Sequence, residues 1–75
     1  MAKATFEDLK SEVAIKAEEA GVLPTSVVMG GVQYTLQMPA ETKMAAMGAL
    51  RNPAKLDELL DGVTFAGTDG SQIHA

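Results

Sequence analysis

The sequence predicts a small α+β domain, and two observations carry that prediction: the apolar spacing changes period along the chain, and glycines fall where it changes. Apolar residues recur at helical spacing through the first twenty positions, alternate strictly in the following block, and return to helical spacing after Pro39. Gly21, Gly30-Gly31 and Gly62 punctuate these blocks. The expected order is a helix, a β-hairpin, two short helices, and then a C-terminal hairpin or a flexible tail. Residues 1–62 are expected to form one compact α+β domain and residues 63–75 the hairpin or tail.

Thr5, followed by Glu7 and Asp8, reads as an N-cap with acids in the first turn, where the helix dipole favours negative charge. The helix runs from about Phe6 to Ala20. Phe6, Leu9, Val13, Ala17 and Ala20 lie on one stripe, Glu12 and Lys16 form an i,i+4 pair, and Gly21 sits where a left-handed residue would end the helix. Ile15 falls off the stripe, either as an isolated surface residue or as a contact.

From Thr25 to Met38 the period is two. Val32, Tyr34, Leu36 and Met38 alternate with Gln33, Thr35 and Gln37, the pattern of a strand with one buried and one wet face. Gly30-Gly31 suits a two-residue hairpin turn that needs positive φ, and the register across it opposes Met29 to Val32 and Val27 to Tyr34. Both strands then bury the same face. The outer face carries Ser26, Val28, Gln33, Thr35 and Gln37, all uncharged.

Pro39 ends the strand and suits a first helical turn, so a second helix is expected from Ala40 to about Leu50. Met44 to Leu50 contains no polar residue, and such a helix is expected to be covered on more than one side. Asn52-Pro53 is a cap followed by an N1 proline, opening a third helix with Leu56, Leu59, Leu60 and then Val63 along one edge. Gly62 closes it, and Asp57, Glu58 and Asp61 read as a solvated acidic face. In the last segment, Val63 to Ala75, a Thr68-Asp69-Gly70 loop with Gly70 left-handed would oppose Phe65 to Ile73. A flexible tail is the alternative.

A chain of 75 residues has room for one domain, and a domain of that size buries only about 60% of the surface its unfolded chain exposes. With 47% apolar and 21% charged residues it falls within the globular range. The absence of cysteine excludes disulfides, thiolate metal sites and a cysteine nucleophile. The opening Met1 to Asp8 turns acidic where a signal peptide needs an apolar region, and no apolar stretch reaches the roughly 18 residues that span a bilayer. A cytoplasmic or virion setting is expected, without secretion and without a membrane. The net charge is −4 and the six cations form no run, so direct nucleic-acid binding is not expected.

The inventory for catalysis is poor. His74 is the only histidine, one residue from the last position, and no carboxylate spacing matches a calcium loop. Gly30-Gly31 leads into a strand and not into the helix of a phosphate-binding loop. No catalytic residue, cofactor, metal or small-molecule substrate is expected, and the chain is not expected to be an enzyme. Met29, Met38, Met44 and Met47 cluster around the hairpin and second helix, as core filler or as an adaptable interface. The candidate partner contacts are Met44, Met47 and Leu50 on the second helix, Val28 on the outer hairpin face, and Ile15.

A helix ending at Gly21, a hairpin with a tight glycine turn, and a helix following Val32 to Pro39 together resemble the small head–tail joining proteins of tailed phages, which have an α-β-β-α fold. The layout is also similar to phage tail-assembly chaperones, and the likeness covers residues 5–51. It implies a structural or assembly role with an oligomeric ring or virion as partner. The third helix, the C-terminal segment and the lower basicity depart from the joining proteins. The leading expectation is a non-catalytic structural or assembly protein, phage-encoded, that docks through the second helix and a sheet edge onto a protein partner or a second copy. Two alternatives remain: a small acidic inhibitor that occupies a basic site on a host protein through Glu7, Asp8, Glu12, Glu18, Glu19 and Asp57, and a precursor whose segment 63–75 is modified by a partner enzyme.

Overall fold

The computed structural model describes residues 4–75; Met1 to Lys3, which open the N-terminal stretch, lie outside the described residues. Among the described residues, three helices and one four-stranded antiparallel sheet follow in the order α1 (Phe6–Ala20), β1 (Ser26–Met29), β2 (Val32–Gln37), α2 (Ala40–Gly48), α3 (Pro53–Leu60), β3 (Thr64–Gly67) and β4 (Gln72–Ile73). This is the expected α+β fold, with the hairpin as its C-terminal element. The strands lie side by side in chain order, with α2 and α3 inserted between β2 and β3.

Local chemistry explains the boundaries. The Thr5 hydroxyl accepts the Asp8 N–H while the Asp8 carboxylate accepts the Thr5 N–H, closing a capping box at the start of α1. Gly21 ends that helix with φ 70°, its N–H donating to the Ala17 carbonyl. Gly30 and Gly31, at φ 60° and 79°, make the tight turn that sets Val27 opposite Tyr34 and Met29 opposite Val32. The Asn52 side chain caps α3 ahead of Pro53 by accepting the Lys55 N–H.

Register decides which side chains meet. β2 pairs with β3 through Leu36 opposite Phe65 and Tyr34 opposite Gly67, and β3 pairs with β4 through Phe65 opposite Ile73. Val27, Tyr34 and Phe65 therefore share one face, and these are the buried residues of the sheet. The helices cover that face. Leu9 and Val13 of α1, with Leu56 and Leu60 of α3, complete the core, and Phe6 meets Phe65 edge to face with ring centroids 5.7 Å apart. Gly67 is confined by its surroundings: a Cβ there would stand 3.0 Å from the Tyr34 ring and closer still to Ser71 and Asp69.

Four details differ from the sequence expectation. Ala20 is exposed, and Lys10 takes a buried place on the α1 stripe. Helix α2 stops at Gly48, because the Ala49 N–H turns back to the Ala46 carbonyl and the Asn52 N–H to that of Ala49, tightening the chain ahead of Pro53. The acidic face of α3 is exposed as expected, and Asp57 and Asp61 on it also reach Lys10. Most consequentially, α2 is covered on one side only: Ala46 is its single buried residue, and its principal packing partner is α3.

Candidate functional site

Among the described residues, two larger surfaces and one smaller groove stay open once the core is closed. The first is the sheet face away from the helices. Val28, Gln33, Thr35, Gln37 and Gln72 are exposed there, and the antiparallel register adds Ser26, Thr64 and Ala66, so the face carries no charge. Val28 is its one large apolar side chain and is 64% exposed. Gln33 Nε2 donates to the Ser26 hydroxyl at 2.9 Å across the hairpin, so part of this face is satisfied internally.

The second surface lies across the helices. The C-terminal half of α1 and its cap contribute Ala14, Ala17, Glu18 and Gly21, and the end of α2 (Met47, Gly48), the α2–α3 connection (Leu50, Arg51) and the start of α3 (Pro53, Leu56) form the other side of a groove of about 700 Å³. Helical spacing produces the first wall, because positions 14, 17, 18 and 21 fall on one face of a helix. The second wall exists because α2 ends early and the chain turns before Pro53. Leu50 is half-buried against the core, while Met47 on the rim is 52% exposed and Met44, one turn earlier, is 72% exposed.

The five residues predicted as partner contacts thus separate. Met47 and Leu50 share the groove, Met44 continues the same helix beyond it, Ile15 lies exposed beside the α1 wall, and Val28 sits on the opposite face of the molecule. Val22, in the turn after α1, is 61% exposed and was not signalled by any periodicity. A smaller groove of about 440 Å³ lies at the other end of α2, between Leu23, Pro24, Leu36, Met38 and Lys43.

The electrostatics of the two helix walls differ from those of the core. Lys10 is nearly buried between α1 and α3, its Nζ 2.8 Å from Asp61, 3.3 Å from Asp57 and 3.6 Å from Glu7, and 5.8 Å from the Phe6 ring centre. The hydrogen bond to Asp61 is the main reason its pKa stands above the ordinary lysine value. Around the groove, by contrast, Glu18 and Arg51 form no ion pair among the described residues. Glu18 and Glu19 also sit at the negative end of the α1 dipole, with no basic residue in the last turn.

His74 is exposed beside the last carbonyl, and among the described residues no three histidine, cysteine or carboxylate side chains converge as a metal site would require. Among them also, no helix is long and apolar enough to cross a membrane. No family model, curated protein or solved structure matches this chain.

Proposed function

We propose that this chain is a non-catalytic structural or assembly protein that works through protein–protein contacts made by the α2 side of its helical layer. The observation that carries this reading is the exposure of Met44 and Met47 on a helix whose inward side is alanine. Leaving methionine in water forfeits a burial free energy of about 1.5–3 kcal/mol per side chain, and methionine adapts to the shape of whatever covers it. The head–tail joining and tail-assembly proteins of tailed phages, whose layout residues 5–51 resemble, are the class of protein this reading has in view. The uncharged edge strand β1 offers a second point of attachment by strand addition.

The inhibitor reading is weaker. Of its six acidic residues, Glu7 and Asp57 are drawn to Lys10, Asp8 caps its own helix and Glu12 faces Lys16 at 3.9 Å, which leaves Glu18 and Glu19. The precursor reading is also weaker, because Phe65 in segment 63–75 is fully buried at the centre of the sheet. A photo-crosslinking residue placed at position 44 or 47, in cells that make the protein, tests the proposal. Covalent protein adducts are expected there and not at exposed Glu58 on α3; their absence at both positions overturns it.

A further inference from the structure

We infer that the occupant of the α1/α2–α3 groove is a second copy of this chain, docked about a two-fold axis so that each copy's Met47 enters the other's groove. This rests on the reading of the α2 side as a protein-contact surface and names the partner. The groove carries one free charge of each sign, Glu18 on the α1 wall and Arg51 on the α2–α3 wall, with an exposed apolar side chain, Met47, on its rim. Opposite charges on the two walls of one groove pair with their counterparts on a second copy when a two-fold axis runs between the walls.

A two-fold axis is the operation that makes this complementarity usable, because it brings residue i to residue j and j to i. Glu18 of one copy then faces Arg51 of the other, twice per dimer. The same operation delivers a cation to the C-terminal end of α1, where Glu18, Glu19 and the helix dipole add up to uncompensated negative charge. Among the described residues neither Glu18 nor Arg51 supports the fold through an ion pair, so both can be reversed without disturbing the core.

Sedimentation velocity of the purified protein with Glu18→Arg and Arg51→Glu is the test, with circular dichroism to show that each variant is folded. The wild type is expected to sediment as a dimer of its 7.8 kDa chain. Each single reversal places like charges opposite each other and should weaken the dimer about tenfold or more. The double variant Glu18→Arg/Arg51→Glu restores both pairs and should recover it, and an equimolar mixture of the two singles should form a heterodimer tighter than either alone. A wild type that is monomeric up to millimolar concentration overturns the inference, as does a dimer indifferent to the reversals. In either case an adduct at position 47 with a different protein would leave the protein-contact reading standing.

Discussion

Helices α2 and α3 are neighbours in the chain and similar in length, nine and eight residues, yet they are held in opposite ways. Helix α3 sends Leu56 and Leu60 into the core and turns Asp57 and Asp61 to Lys10 of α1, so it is fixed by packing and by charge. Helix α2 carries more apolar side chains and buries fewer, because the residues on its inward side are Ala46 and, just past its end, Ala49, while Met44 and Met47 point outward. Apolar content does not decide burial. What decides it is whether the large side chains share the face that the fold presents to the core.

The half built on α1, α3 and the sheet should therefore carry nearly all of the stability. Phe65 joins β3 to α1 through Phe6 and is fully buried, so Phe65→Ala should cost about 3–5 kcal/mol. That matches the whole stability expected of a domain this small, and the variant should show little native circular dichroism at 25 °C. A urea transition close to that of the wild type would mean that the C-terminal hairpin lies outside the cooperative unit, and would break the comparison at its stronger side.

A smaller effect is expected at Lys10. Replacing it with methionine keeps the packing of the stem and removes the charge, and the carboxylates left behind are more than half exposed and can be rehydrated. The cost near neutral pH should be about 1 kcal/mol. The pH dependence has a definite sign. Folding raises the Lys10 pKa, so its contribution is complete below the unfolded value of about 10.4 and declines as pH rises beyond it toward the folded value. The gap in urea midpoint between wild type and Lys10→Met should accordingly be constant from pH 7 to 9 and shrink at strongly alkaline pH; a gap that widens there would exclude the ion pairs as its source.

Local signals make the first hairpin legible in the sequence, because Gly30-Gly31 and the alternation from Val32 to Met38 demand the same register. The pairing of β2 with β3 was not legible. Leu36 and Phe65 lie far apart in sequence, and nothing in either strand names its partner. Lys10 was missed although positions 6, 10, 13 and 17 complete a helical stripe, since a cation on an apolar face is discounted unless its counter-charges, here on α3, are already in place. The exposed methionines of α2 were legible as composition, whereas the groove that Met47 and Leu50 share depends on where α2 stops, which turn geometry around Ala49 decides.

The smallest effect on stability should come from the most apolar-looking part of the chain. Met44→Gln/Met47→Gln keeps side-chain length and helix propensity while adding polarity to two exposed positions, and such changes stay within about 0.5 kcal/mol. If the α2 side is a contact surface, the same double substitution should weaken association by at least tenfold, since each side chain forfeits apolar burial in the complex and loses almost nothing in the free chain. Paired measurement of the urea midpoint and the dissociation constant separates the two roles. Loss of stability approaching that of Phe65→Ala would show these methionines to be packed within the chain, and would erase the distinction between α2 and α3.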